Sequence, residues 1–201
     1  MVGVMTATTP QIPDFRLLLL QAADVTDSLV HQVGPDDLDR PTPCSEFAVR
    51  GLVDHLVMVA HRVRVVLQGG HFTEVPQVTG APDDDLGPLW ASRLAELRAA
   101  LPEIDLASMV TAPFGTVPAG AALASYAAEL TAHGWDLAAA LDRPDLLDGS
   151  LGTRLLPMVV PRIPREGREQ LPFGEVVDVP DDASDLDRLV AWMGRDPAWR
   201  A

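Results

Sequence analysis

The sequence contains no lysine and no asparagine, so all 15 of its basic residues are arginines. Schiff-base chemistry, attachment of pyridoxal phosphate and a P-loop each need a lysine amine at a fixed place, and all three are therefore excluded. The 29 acidic residues bring the net charge to −14. This balance argues against nucleic acid as a partner, because phosphate binding needs clustered positive charge. The two missing residue types also point to codon bias in a GC-rich genome.

Cysteine and long apolar runs are equally scarce. Cys44 is the single cysteine, so the chain can form neither an internal disulfide nor a zinc site made of cysteines alone. The segment from Met1 to Asp14 lacks the basic and apolar pattern of a signal peptide. No apolar run approaches the roughly 18 residues of a membrane-spanning helix. We therefore expect a soluble, cytoplasmic protein with no membrane partner.

The apolar residues recur at helical spacing in four segments, within a chain of 201 residues that is long enough for one domain with a real core. They predict helices over residues 13–32, 45–68, 86–101 and 118–141, with Ser45 as the N-cap of the second helix and the acidic residues 83–85 in a loop before the third. Proline then becomes frequent, an alternating stretch at residues 175–179 predicts a short strand, and a last short helix is predicted at residues 184–192.

The predicted fold class is all-α. We expect a four-helix bundle over residues 1–143 and a proline-rich C-terminal arm over residues 144–201, which wraps the bundle as part of the same domain because it has too few apolar residues for a core of its own. The arm would carry the short strand and the short helix, and would cover Trp135 on the fourth helix. An exposed face of such a bundle leaves room for a homodimer.

Three ionisable residues can share one space between two of these helices. His133 lies inside the apolar stripe of the fourth helix, Glu129 lies about 40° further round at its edge, and His55 lies at the border of the stripe of the second helix. Ionisable groups inside a bundle cost several kcal/mol unless they are paired or bind a metal. Two imidazoles and one carboxylate are a familiar zinc arrangement with an open fourth position. The alternative is an interior hydrogen-bond network without a metal.

Spacing alone is weak support for such a site, because Asp27 and His31 show a similar helical spacing on a face that we expect to be exposed. Arg62 lies two turns beyond His55 on nearly the same face, where it can hold an anionic group of a substrate or, alternatively, extend over the surface. Cys44 lies in the turn before the second helix, where a helix dipole can lower the pKa of a thiol. A structural role for Cys44, as a small residue that packs in this turn, is favoured.

Two stretches of the sequence resemble signatures of one known family. Residues 41–56, PTPCSEFAVRGLVDHL, resemble the second-helix signature of the DinB-like, mycothiol-dependent maleylpyruvate isomerase N-terminal superfamily, and residues 129–138, ELTAHGWDLA, resemble its fourth-helix signature. The tail, residues 173–199, is similar to that of an actinobacterial metal-binding subgroup. The resemblance implies a four-helix bundle whose divalent metal is held by a histidine on helix two and a Glu-x-x-x-His pair on helix four. Those positions are His55, Glu129 and His133.

The resemblance also implies a function. We expect a thiol transferase or isomerase that depends on zinc, nickel or another divalent metal and activates a small thiol such as mycothiol toward a small electrophilic substrate. The tail differs from the C-terminal domain of the isomerases, so the resemblance does not extend to maleylpyruvate as the substrate. Two alternatives stay open: a thiol-independent metal enzyme, such as a hydrolase or cyclase of natural-product metabolism, and a non-catalytic metal- or ligand-binding protein of the same fold.

Overall fold

The computed structural model describes residues 13–200. Residues 1–12, which make up most of the segment that lacks a signal-peptide pattern, lie outside the described residues. Six α-helices and one β-hairpin, joined in places by four single-turn 3₁₀ helices, form the regular structure of residues 13–200. They are α1 (Arg16–Val30), α2 (Val49–Leu67), α3 (Asp83–Ala100), β1 (Met109–Ala112), β2 (Gly115–Pro118), α4 (Ala119–Leu141), α5 (Gly149–Val159) and α6 (Asp185–Trp192). Within this part of the chain, no helix has the length and apolar character needed to cross a membrane.

The first four helices form the predicted bundle, which confirms the all-α fold. Helix α1 packs along α4, α2 packs along α3, and α2 also contacts α4. The approach of α1 to α4 is close at Gly134, where a Cβ atom would lie 3.2 Å from the hydroxyl oxygen of Thr26. That hydroxyl is buried and lies 3.2 Å from the carbonyl oxygen of Leu130. A small residue in the middle of α4 therefore lets the two helices touch.

Two helix starts differ from prediction. Helix α2 begins at Val49, and Ser45 does not cap it, because the chain turns once more after Ser45 and the Thr42 hydroxyl contacts the carbonyl oxygen of Phe47 at 2.7 Å. Helix α3 begins at Asp83, three residues before its predicted start, so the acidic residues form its first turn and not a loop. Negative charge is favourable there because it faces the positive end of the helix dipole.

The segment before α4 and the C-terminal arm hold elements that the sequence did not predict. The turn at Pro113 and Phe114 is the tip of a two-stranded hairpin in which Ala112 pairs with Gly115, and Gly115 has a positive φ of 120°. Helix α5 was not predicted, because prolines are frequent in this part of the sequence. It starts at an N-cap, Asp148, whose carboxylate accepts a hydrogen bond of 2.9 Å from the backbone N–H of Ser150.

The predicted strand at residues 175–179 is wrong. This segment has no partner strand among the described residues and runs beside α6, to which it is joined by a hydrogen bond from the Val177 N–H to the Ala191 carbonyl oxygen. The short helix predicted next to it is confirmed as α6, which packs against α5, and both helices contact α4. Trp135 is buried. The division at residue 143 into a bundle and an arm of the same domain stays a prediction.

Helices α5 and α6 approach each other closely at Gly152. A Cβ atom at this position would lie 2.5 Å from the Cα atom of Leu186, whereas a Cβ atom at Gly149, in the same helix, would meet nothing within 4 Å. We expect Gly152→Ala to lower the free energy of unfolding by about 1–3 kcal/mol, because backbone cannot move aside as a side chain does. Gly149→Ala should leave it unchanged. Urea unfolding of the two variants checks this, and equal stabilities would contradict it.

Candidate metal centre

Helices α2 and α4 bring the three predicted ligands into one space. His55 extends from the first half of α2, and Glu129 and His133 lie one turn apart on α4. One nitrogen or oxygen atom of each residue lies within 4.8 Å of those of the other two. Nε2 of His55 is 3.9 Å from Oε1 of Glu129, and the two imidazole rings meet edge to face with centroids 5.1 Å apart. The structure therefore brings together the three residues that the helix geometry predicted.

The ring of His55 is held in place from two sides. Its Nδ1 lies 2.9 Å from the carbonyl oxygen of Gln77, and the ring of Phe47 stacks on it with centroids 5.0 Å apart. The loop that carries Gln77 is itself fixed to α2, because the Asp54 carboxylate accepts hydrogen bonds from the backbone N–H groups of Thr79 and Gly80 at 2.7 and 3.0 Å. A carbonyl oxygen at Nδ1 requires a proton there, so the lone pair of His55 is on Nε2, which faces Glu129.

Burial makes His55 a neutral ligand. The pKa of His55 is lowered from 6.5 to about 4, chiefly by desolvation and also by the neighbouring His133 and Arg62, against the opposing effects of the Gln77 carbonyl and of Asp54. Metal ions bind the neutral form of imidazole. His55 is thus ready to bind a metal at neutral pH without first losing a proton.

His133 is oriented by a carboxylate that the sequence analysis did not single out. Its Nδ1 lies 3.1 Å from Oδ2 of Asp136, which is wholly buried. Arg195 reaches the same carboxylate with two hydrogen bonds, from Nε at 3.2 Å and from Nη2 at 3.0 Å. Burial raises the pKa of Asp136, but the hydrogen bond from His133 and the charge of Arg195 outweigh it and hold that pKa below its ordinary value. Asp136 is therefore ionised and keeps the proton of His133 on Nδ1.

Arg62 is not a surface arginine, which excludes the alternative that its side chain extends over the protein surface. Its side chain is buried, and its Nη1 lies 3.6 Å from Oε1 of Glu129, too far for a hydrogen bond. No hydrogen bond joins its guanidinium to another group within residues 13–200. Glu129 is the most exposed member of the cluster, with 27% of its side chain accessible, so solvent reaches the space at Glu129.

Cys44, His133 and Asp136 form a second group of nearby ligand atoms, within 4.8 Å of one another. A metal ion does not suit this group, because both oxygens of Asp136 already accept hydrogen bonds from the Arg195 guanidinium, whose positive charge repels a cation. Burial and the charge of Asp136 raise the pKa of Cys44, which favours the packing role over a reactive thiolate.

Two other features add no ligand to the cluster. His31 is exposed, and its ring lies 2.8 Å from the carbonyl oxygen of Asp27 in the same helix, as expected for a surface histidine. A shallow depression of about 820 Å³ lies beside α2, where Phe47 and Asp54 form part of its wall. None of the three predicted ligands lines it.

The donor set fits a zinc ion. Two imidazole nitrogens and one carboxylate oxygen are typical zinc ligands, and in a tetrahedral site with bonds of about 2.0–2.2 Å they lie roughly 3.4 Å apart. The present separation of 3.9 Å between His55 and Glu129 exceeds that by about 0.5 Å, which side-chain rotation alone can close. Both histidines also hydrogen-bond through Nδ1 to a backbone or carboxylate oxygen, as zinc-binding histidines do.

A comparison with known families covers the part of the chain that holds this cluster. The sequence model of the mycothiol maleylpyruvate isomerase N-terminal domain matches residues 19–138, which run from α1 to near the end of α4. The chain belongs to this family. The family resemblance seen in the sequence is thereby confirmed, and the matched region ends well before Arg195.

Similarity to known proteins extends over most of the chain. Two uncharacterized proteins, from two strains of Mycobacterium tuberculosis, are each 28% identical over 181 residues, which make up 87% of this chain and 94% of the relative. The crystal structure of a mycothiol-dependent maleylpyruvate isomerase matches with a TM-score of 0.53 at 19% identity, over 70% of this chain. The chain spans only 65% of that isomerase, and the likeness establishes the fold.

Proposed function

We propose that this protein is a divalent-metal enzyme, with zinc as the best-fitting metal, that activates mycothiol toward a small electrophilic substrate in a transfer or isomerisation. The observation that carries the proposal is the convergence of two oriented imidazoles and one carboxylate between α2 and α4. Membership of a family named for a mycothiol-dependent isomerase, and a solved relative of that name, supply the thiol. We propose His55, Glu129 and His133 as the metal ligands.

Bound by these three residues, zinc would offer a fourth position at which a thiol is held as a thiolate. The orientation of the ligands and the access of small molecules to the site come from residues of the chain itself. His55 and His133 present Nε2 because their Nδ1 protons are held by Gln77 and Asp136. The exposed edge of the cluster at Glu129 is the entrance for small molecules. Within residues 13–200 no cysteine other than Cys44 competes as a nucleophile, and the raised pKa of Cys44 keeps it a thiol.

Arg62 is the group that we propose for substrate binding. A buried guanidinium needs an anionic partner, since an unpaired buried charge costs several kcal/mol. Glu129 is its nearest described carboxylate, at 3.6 Å. When Glu129 binds a metal, the charge of Arg62 becomes available to an anion that enters the space, such as a carboxylate of the substrate.

Removal of the Arg62 charge should separate substrate binding from metal binding. We expect Arg62→Gln to bind zinc at least as tightly as the wild type, because a cation that competes for Glu129 is gone, whereas Glu129→Gln should lose about 100-fold in zinc affinity. Competition with a chromogenic chelator measures both. If Arg62→Gln weakens zinc binding as much as Glu129→Gln does, Arg62 supports the ligand and not the substrate.

Metal and thiol content test the proposed function directly. Protein purified without chelator should hold about one equivalent of a divalent metal; less than about 0.2 equivalents, with no thermal stabilisation by added zinc, would overturn the proposal. The cobalt-substituted protein should then change its visible spectrum on addition of mycothiol, with a new sulfur-to-metal band. A spectrum that mycothiol leaves unchanged would remove the thiol from the proposal and favour the thiol-independent enzyme. Metal binding without any turnover would favour the non-catalytic protein.

A further inference from the structure

Arg195 is a buried cation from the C-terminal arm that lies directly behind the cluster. It is one of two buried arginines in the described part of the arm, and its guanidinium donates hydrogen bonds to both oxygens of Asp136. Asp136 in turn accepts a hydrogen bond from Nδ1 of His133. A continuous chain of hydrogen bonds thus runs from the last turns of the protein to one of the proposed metal ligands.

The position of Arg195 is fixed by the end of α6. Gly194 takes the left-handed conformation, with φ of 86°, and the N–H groups of Gly194 and Arg195 donate to the carbonyl oxygens of Ala191 and Val190. This is the Schellman arrangement, in which a glycine after the helix turns the chain back on itself. Arg195 also donates from Nη1 to the carbonyl oxygen of Met193 at 2.9 Å. The side chain therefore points back from the helix end with little freedom.

The two hydrogen bonds from Arg195 decide what Asp136 can do. A carboxylate with one free oxygen could rotate and leave the imidazole, or bind a metal itself. The bidentate contact fixes the plane of the Asp136 carboxylate and leaves it one role, to accept a hydrogen bond from the protonated Nδ1 of His133. The tautomer with hydrogen on Nδ1 is the one that presents the lone pair of Nε2 to the space shared with His55 and Glu129.

We infer that Arg195 and Asp136 are positioning residues, which hold His133 in the tautomer and orientation needed to bind a metal, so that the C-terminal arm completes the centre formed by α2 and α4. This inference rests on the proposed function for its metal. It adds to that proposal a requirement for the arm, which lies outside the region matched by the family model. Outer partners of this kind change metal affinity by 10–100-fold when they are removed.

The test compares zinc affinity in variants that retain the fold. Removal of one partner of a buried ion pair is strongly destabilising, whereas replacement of both by apolar residues is often tolerated. The double variant Asp136→Leu with Arg195→Met, in which residue 136 can no longer accept a hydrogen bond from His133, therefore accompanies each single variant. We expect the double variant to bind zinc 10–100-fold more weakly than the wild type, and Arg195→Lys, which keeps the charge but not the bidentate contact, to lie in between.

Arg168 provides a matched control from the same arm. It is also buried, and it donates to the carbonyl oxygens of Pro164, Gly174 and Trp192 without any contact with the cluster. Arg168→Met should lower the thermal stability of the arm but leave the zinc affinity unchanged. If Arg168→Met weakens zinc binding as much as the Asp136 and Arg195 variants do, the arm acts only through overall stability and the inference is overturned.

A measurement without metal separates this inference from the proposed function. The ¹⁵N spectrum of the His133 side chain in zinc-free protein should show hydrogen on Nδ1 in the wild type and a loss of that tautomer in the double variant. An unchanged tautomer would overturn the inference even if the wild type binds zinc. A wild type with the expected tautomer but no zinc affinity would overturn the proposed function and, with it, the role of the pair in metal binding.

Discussion

Replacement of His133 by alanine is expected to reduce zinc affinity by more than 100-fold and to abolish any metal-dependent activity. The residue is one of the three proposed protein ligands, and the effect of its loss should exceed the 10–100-fold effect of outer partners, which act through it. It also leaves Asp136 buried with no imidazole to donate to it. Isothermal titration with zinc, checked by competition with a chelator, measures the change.

His31 is the control for this substitution. It is the exposed histidine at the end of α1, its ring lies 2.8 Å from the carbonyl oxygen of Asp27, and it lies outside the cluster. His31→Ala should bind zinc with wild-type affinity and stoichiometry. Equal zinc affinity in His133→Ala and wild type would mean that zinc binds elsewhere on the acidic surface, and the centre between α2 and α4 would then be an interior hydrogen-bond network.

The bundle and the three proposed ligands could be predicted from the sequence because both depend on local periodicity. Long helices with a clear apolar stripe fix which residues face inward, and His133 at the centre of such a stripe is conspicuous as a polar residue in an apolar position. The spacing of Glu129 and His133 on one helix then needs no tertiary information. His55 required only that α2 and α4 be neighbours, which the structure shows.

The other features of the site and the fold depend on contacts that periodicity does not describe. Asp136 could have been noticed, since it lies three residues after His133 and three residues separate neighbours on a helix face. Its partner Arg195 lies in another element far along the chain, and no local pattern joins the two. The hairpin and α5 are short elements beside prolines, where weak local preference is decided by packing, as at Gly152 against α6. The predicted strand failed because alternation without a neighbouring strand does not form a sheet.

Acid should destabilise the metal-free protein between about pH 6.5 and pH 4 because of His55. The pKa of this residue is lowered by burial to about 4 in the folded state, whereas in the unfolded chain it is near 6.5. As the pH falls through this window, the unfolded state takes up a proton that the folded state cannot accept, so the folded state loses stability. A pKa lowered to about 4 corresponds to about 3 kcal/mol of unfolding free energy.

His55→Gln isolates this contribution, since glutamine keeps a polar side chain that does not titrate. Burial and the charges of Arg93 and Arg64 also lower the pKa of His61, which adds to the acid sensitivity of every variant and cancels in the comparison with wild type.

Urea unfolding in the presence of a chelator should show a steep fall in stability from pH 6.5 to 4.5 for the wild type and His31→Gln, and a much shallower one for His55→Gln. The pKa of Asp136 is held below its ordinary value by the hydrogen bond from His133 and the charge of Arg195 against the effect of burial, and the carboxylates that all variants share cancel in the comparison. Parallel curves for wild type and His55→Gln would show that His55 accepts a proton in the folded state as readily as in water, and that water reaches the space between α2 and α4 far more freely than its burial indicates.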